Sequence, residues 1–252
     1  MVPSPSFWHQ RYRTQAAWTA SLRQQAYQQA QASQARRILE VGSGTGVILS
    51  DLAGHTPAVR VGIDLDAEVS RHAHSLDPAA CLAIANGGCL PFASSAFDIV
   101  LCHYLLLWTP DPGAILREMK RVAHPGGWVL CLAEPDYGGR IDHPPAWAEL
   151  GLRQTESLRA QGADPNIGRT VRALLAEAGL VPVRSGVLGA EWTDPPCAES
   201  VESEWEMLRH DLQGQISAAV LRKLEQQDLA AWQAGKRILY VPTFYALAVK
   251  PG

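Results

Sequence analysis

The stretch Arg36-Arg37-Ile38-Leu39-Glu40-Val41-Gly42-Ser43-Gly44-Thr45-Gly46-Val47-Ile48-Leu49 decides how the chain folds. Its first part is apolar and rich in branched residues, the pattern of a buried strand. It breaks at three glycines on alternate positions, Gly42, Gly44 and Gly46. Val47, Ile48, Leu49, Leu52 and Ala53 then follow at the spacing of a helix start. A strand, a glycine turn and a helix N-terminus together make a nucleotide-type site. Glycine permits positive φ and lets a ligand approach the backbone with no Cβ in the way.

The variant of the turn narrows the ligand. A dinucleotide fingerprint needs its third glycine one position later, where this chain has Val47. A phosphate-binding P-loop needs a Gly-Lys-Ser/Thr ending, which is missing. Glu40, two residues before the first glycine, repels a pyrophosphate and suits a ligand that carries an amino group. The stretch Leu39-Glu40-Val41-Gly42-Ser43-Gly44-Thr45-Gly46 resembles the first motif of the class I S-adenosylmethionine-dependent methyltransferases. The resemblance implies S-adenosylmethionine as cofactor. It places Glu40, Gly42, Ser43, Gly44, Thr45 and Gly46 at its binding site.

Composition sets outer limits. A chain of 252 residues, 47% hydrophobic, suits one large domain or one domain with an inserted cap. A net charge of -3, with no Lys/Arg run interleaved with aromatics, gives no electrostatic reason to expect nucleic acid. The five cysteines, Cys81, Cys89, Cys102, Cys131 and Cys197, are odd in number and form no CxxC pair. They read as reduced, buried thiols of a cytoplasmic protein. No secretory signal is expected, since the N-terminus carries Pro3 and Pro5 and lacks an apolar core region. No apolar stretch approaches the ~20 residues of a membrane span.

Residues 1–35 read as a loose leader followed by a helix from Phe7 to Ala35, rich in Gln and Ala. Its large apolar residues, Trp8, Tyr12, Trp18, Leu22 and Tyr27, are irregularly spaced. In the family a pre-domain helix covers the cofactor, which would bring Tyr12, Arg13, Gln15 and Trp18 towards its methionine end; the alternative is a plain packing helix. Ala58 to Leu65 is the second strand. Asp64, at its end and about 20 residues past the glycine turn, is placed to accept bonds from both ribose hydroxyls. Leu65 would then lie on the adenine face. Asp66 instead fits the N-cap of the helix from Ala67 to Leu76, with Glu68 in its first turn. His72 and His74 on that helix are two residues apart, so they point to different sides and are not a metal pair.

Cys81 to Ala85 is a short strand, followed by Asn86-Gly87-Gly88-Cys89-Leu90-Pro91-Phe92. This is similar to the family's acid, spacer and Leu-Pro-Phe, with Asn86 where the acid contacts the adenine amino group. An amide also accepts and donates there, and Gly87 offers its backbone. The fourth strand runs from Ala96 to Tyr104. By the resemblance its end, Cys102-His103-Tyr104-Leu105, lines the methyl-transfer site. It lacks the Asn-Pro-Pro-Tyr motif of nucleic-acid and protein-amide methyltransferases. His103 stands either at the cofactor and as general base, or as a ring satisfied by backbone. Tyr104 and Tyr137 are the other catalytic candidates, and with Trp108 they offer aromatic faces to a sulfonium.

Asp111 to Ala123 is an amphipathic helix capped by Asp111 and Pro112. A Pro-Gly-Gly turn leads into the fifth strand, Trp128 to Ala133. The run Glu134 to Pro145 reads as a loop at the carboxyl end of that strand, where α/β sites are built. Helices follow up to Gln161 and from Asn166 to Ala178, then strands from Val181 to Leu188 and from Ile238 to Val249. Between these two strands, residues 189–237 form a helical insertion. It is either a cap over the site, carrying Trp192, Trp205, Glu206, Arg209 and Trp232, or a surface pair that thickens the fold or makes a homodimer contact. The expected architecture is α/β: a Rossmann-like, doubly wound, seven-stranded, mostly parallel sheet with an antiparallel last strand and a helical insertion. The expected function is methyl transfer from S-adenosylmethionine to a small-molecule acceptor, with no metal. The alternatives are an NAD(P)-dependent oxidoreductase and a non-catalytic protein that binds S-adenosylmethionine.

Overall fold

The computed structural model describes residues 4–189 and 198–252. Trp192 and Cys197 lie outside the described residues. In chain order the elements are α1 (Pro5–Gln29), β1 (Arg37–Val41), α2 (Val47–Leu52), β2 (Val59–Asp64), α3 (Ala67–Leu76), β3 (Cys81–Ile84), β4 (Phe97–Cys102), α4 (Pro112–Val122), β5 (Ala123–Pro135), β6 (Ile141–His143), α5 (Ala148–Ala160), α6 (Val171–Glu177), β7 (Val181–Val187), α7 (Ala198–Asp211), α8 (Ala218–Gln233), β8 (Ile238–Tyr240) and β9 (Thr243–Val249).

The main sheet has the order β3-β2-β1-β4-β5-β9-β7. β1 to β5 pair in parallel, and β9 runs antiparallel between β5 and β7. The expected seven-stranded sheet with its antiparallel last strand is therefore present. Strand periodicity sorts the core into two layers. Ile38, Ile99, Leu101, Leu130 and Leu132 point to the side covered by α1 and α2, where they meet Tyr27, Leu49 and Leu52. Leu39, Val100, Val129 and Cys131 point to the other side, where they meet Leu116 and Met119 of α4 and Leu175 of α6. Each such side chain, fully buried, contributes about 1.5–3 kcal/mol. Both strand ends and helix caps at the centre follow local sequence. Asp111 caps α4 by accepting from Ala114 N at 2.8 Å, with Pro112 in the first turn. Asp66 caps α3 by accepting from Glu68 N and Val69 N.

Three expectations are corrected. Ile238 to Val249 is not one strand. The break falls at Val241-Pro242, since Pro242 has no N–H for a ladder, and its carbonyl instead accepts from Asp136 N at 2.8 Å. β8, before the break, pairs with β6 in a separate two-stranded sheet. The run Glu134 to Pro145 thus holds a strand rather than only a loop. Finally, Cys81 and Cys89 are exposed thiols, Cys81 on the edge strand β3 and Cys89 in the turn that follows it; Cys102 and Cys131 are buried as expected.

The inserted helices have a small core of their own. Trp205, Leu208 and Leu212 of α7 and its following turn, with Leu221 of α8, pack on Trp147 and Leu150. Beneath them runs a buried charge network. Arg140 pairs with Asp142 at 2.6 Å, Arg237 with Asp142 at 2.8 Å, and Arg237 with Asp228 at 2.6 Å. Trp205 Nε1 donates to Asp228 at 3.0 Å. Among the described residues, no helix is long and apolar enough to cross a membrane.

Candidate active site

The glycine turn is built as its sequence demands. Gly42, Gly44 and Gly46 have φ of 71°, 49° and 77°, a left-handed run that other residues rarely adopt. Gly42 N and Ser43 N both donate to Ile63 O at 2.9 Å, which ties the turn to the end of β2. A Cβ at Gly42 would meet Leu105 Cδ1 at 2.6 Å, and one at Gly44 would meet the Tyr12 ring at 3.0 Å.

Over this turn lies a cavity of about 460 Å³. Glu40, Gly42, Ser43, Gly44 and Asp64 form its floor. Glu40 is 2% exposed, and its Oε2 has no hydrogen-bond partner. Burial, then the nearby Asp64 charge, push its carboxyl well above the usual carboxylate range. Asp64 Oδ2 accepts from Gly44 N at 2.8 Å and Oδ1 from Asp66 N at 3.0 Å. Each oxygen keeps a second lone pair. Leu65, 69% exposed, does not line this cavity. Two acids and an orphaned carboxylate oxygen suit a ligand with hydroxyl and amino groups, and they repel a pyrophosphate.

Thr45 and Gly46 do not line this cavity. Thr45 Oγ1 bonds His9 Nδ1 at 3.0 Å, anchoring α1 to the turn. Gly46 precedes α2, and a Cβ on it would meet Ala73 of α3 at 3.2 Å. Asn86 and Gly87 are also outside it. The Asn86 Oδ1 accepts from Gly88 N at 2.8 Å within a local turn. Gly87 packs under Val41 and Ile115.

The roof comes from α1. Trp8, Arg11, Tyr12 and Gln15 line the cavity. Arg13 is exposed instead, since one more residue turns the side chain away. Burial, with Asp64 and Asp66 close by, raises Tyr12 to about 12. Trp18, expected at the cofactor, lines a second cavity of about 470 Å³. Arg11, Gln15, Tyr104, Pro135 and Tyr137 form the wall common to both.

His103 lines the first cavity, but as a poor base. Its Nε2 is 2.8 Å from Thr19 Oγ1, and Arg23 also donates to that hydroxyl. Burial, then the Arg23 charge, lower it to about 3. The alternative of a ring satisfied at the strand end fits better, though its partner is a side chain of α1 rather than backbone. Tyr104 takes φ 53°, a costly left-handed conformation for a tyrosine. Burial raises it to about 12 and raises Tyr137 further, so both stay protonated phenols.

Sequence reasoning missed several contributors. Glu134, fully buried, accepts from Leu105 N at 3.1 Å, Leu106 N at 2.9 Å and Leu107 N at 3.2 Å. It thereby shapes the turn after β4 that carries Tyr104; burial raises it to about 7 despite those bonds. α7 brings Glu204, Met207, His210 and Asp211 to the two cavities. Glu206 is exposed, and Arg209 forms ion pairs with Glu202 and Glu225; neither lines a cavity. Trp232 does line the second cavity. Arg11 pairs with Glu204 at 3.2 Å. Partners so distant in sequence leave no local signal. Among the described residues no cluster of three or more His, Cys, Asp or Glu is placed to hold a metal ion.

Residues 39–131 match a family model described as a methyltransferase domain. The chain is 34% identical over 135 residues to a demethylmenaquinone methyltransferase of Roseiflexus, covering 51% of this chain and 56% of that one. It is 32% identical over 139 residues to a phosphatidylethanolamine N-methyltransferase of Cereibacter sphaeroides, covering 53% and 66%. The match thus spans less than two thirds of the length of either relative. In fold it is similar to a SAM-dependent methyltransferase of Methanosarcina mazei, with a TM-score of 0.55, 18% identity, and coverage of 85% and 92%.

Proposed function

We propose that this chain, whose residues 39–131 form a methyltransferase domain of the class I type, transfers the methyl group of S-adenosylmethionine to a small-molecule acceptor. The observation that carries the reading is the acid-preceded triple-glycine turn with Asp64 in the same cavity. Glu40, with its orphaned Oε2, suits an amino group; Asp64 suits two ribose hydroxyls. Leu65 offers an exposed apolar face to the adenine. When bound, the cofactor supplies a sulfonium-activated methyl group. The protein's own work is then positioning, which contributes roughly 7–11 kcal/mol in well-aligned reactions. Tyr104, Trp108 and Tyr137 present aromatic faces to a cation. α1 covers the turn through Tyr12.

The two named relatives act on small molecules, which supports an acceptor of that kind. The alternatives are weaker. Val47 at the third dinucleotide glycine and the buried Glu40 argue against NAD(P), and a cavity that extends past the cofactor floor to the cap argues for an acceptor. The four free cysteines among the described residues support a cytoplasmic setting.

Calorimetric titration with S-adenosylhomocysteine, with NADH as control, tests the reading. Micromolar binding of the first and none of the second is expected. Binding of NADH alone would move the chain to the oxidoreductases.

A further inference from the structure

We infer that the second cavity holds the methyl acceptor and that this acceptor is an uncharged, flat aromatic molecule bearing a hydroxyl or carbonyl oxygen. The inference rests on the methyl-transfer reading and adds the substrate class to it. Position comes first. Tyr104, Tyr137 and Arg11 stand between this cavity and the one over the glycine turn. A molecule in the second cavity therefore abuts the carboxyl ends of β4 and β5, where the reacting methyl group would be presented. The volume, about 470 Å³, is that of an ordinary small-molecule site.

Charge decides against ionic acceptors. Three ionised side chains line the cavity among the described residues: Arg11, Glu204 and Asp228. Arg11 and Glu204 neutralise each other at 3.2 Å. Asp228 is held by Arg237 Nε at 2.6 Å and Trp205 Nε1 at 3.0 Å. A phosphate or carboxylate finds no free cation there, and an ammonium finds only acids already engaged. Burying a charge without a partner is costly. The Nε of Arg11 is buried and unpartnered. It calls for an oxygen lone pair rather than a full charge, since Glu204 already meets the charge of the guanidinium.

The walls then favour a ring. Trp18 reaches the cavity from α1, Trp232 from α8, and Tyr240 from β8. Trp18 is 51% exposed, so much of its surface stays open to a molecule in the cavity. Each indole has an arginine at its ring: Arg11 lies 5.4 Å from the Trp18 centroid and Arg237 lies 6.0 Å from that of Trp232. The cations draw on the indole electron density, which favours stacking by an electron-rich ring such as a phenol or hydroquinone.

The test is a titration of the protein saturated with S-adenosylhomocysteine, with 1-naphthol as the uncharged probe and glycine and phosphoethanolamine as charged ones. 1-Naphthol is expected to bind and to quench tryptophan fluorescence. Trp232→Ala and Trp18→Ala should each weaken it at least tenfold, and Trp232→Phe, which keeps a ring, should restore most of the affinity. No binding of 1-naphthol, equal binding to the alanine variants, or its displacement by glycine or phosphoethanolamine would overturn the inference. Titration of the wild-type chain with S-adenosylhomocysteine is read separately. If that ligand binds and 1-naphthol does not, only the acceptor class is wrong; if it does not bind, the methyl-transfer reading falls with it.

Discussion

The ring of Tyr12 lies directly on Gly44, so close that a Cβ there would sit 3.0 Å from Tyr12 Cε2. This contact closes α1 over the cofactor floor and leaves Gly44 no alternative residue. At φ 49° a side chain is strained by about 1–3 kcal/mol, and Tyr12 would have to withdraw as well. Gly44→Ala is expected to weaken S-adenosylhomocysteine binding at least tenfold by calorimetry. An unchanged dissociation constant would mean that the ligand does not approach the turn.

Asp64 holds the turn by accepting from Gly44 N, and on the proposed reading it also takes the ribose. Charge-assisted bonds to two ribose hydroxyls are worth roughly 1.5–3 kcal/mol each. Asp64→Ala should therefore cost about a hundredfold or more in S-adenosylhomocysteine affinity. Asp64→Asn keeps the shape and should lose less. Affinity equal to wild type in both variants would remove the ribose assignment.

His103 predicts acid lability. Its folded value of about 3 lies below its ordinary 6.5. The stability it contributes is thus complete above pH 6.5 and is lost as pH falls towards 3, because only the unfolded chain takes up the proton. Denaturant melts of wild type between pH 7 and pH 4 should show this loss, and His103→Gln should flatten it. A variant as acid-sensitive as wild type would assign the loss to other groups. The same variant should retain substantial turnover, because a base of that strength abstracts little at neutral pH.

The cap stands on Asp142, which accepts from both Arg140 and Arg237. Asp142→Ala leaves the buried Arg140 guanidinium without a carboxylate partner and Arg237 with Asp228 alone. The expected cost is about 3–5 kcal/mol of unfolding free energy, measured by urea melts. Loss of less than about 1 kcal/mol would mean that water reaches the network and screens it.

Much of this was legible along the chain. The apolar, branched run before the glycines marked the first strand. The three glycines with Glu40 marked the turn, and Asp64 followed at the right distance. Asp111-Pro112 marked the start of α4 to the residue. Such features are set by backbone geometry and neighbours a few positions away, so sequence carries them.

The rest was decided by contacts between distant segments. Whether His103 is a base depends on Thr19 and Arg23 reaching it from α1. Whether Trp18 belongs to cofactor or acceptor depends on which side of Arg11 and Tyr104 it falls. Glu134 looked like one acid in a polar run until its oxygens met the N–H groups of Leu105, Leu106 and Leu107. The sequence by itself determined the sheet and the glycine turn, because local sterics and periodicity specify them, and its resemblance to a known motif implied the cofactor. Only the tertiary structure decided the two cavities, the neutral charge balance of the second and the spent carboxylates and imidazole, because burial and pairing exist only once the chain has closed on itself.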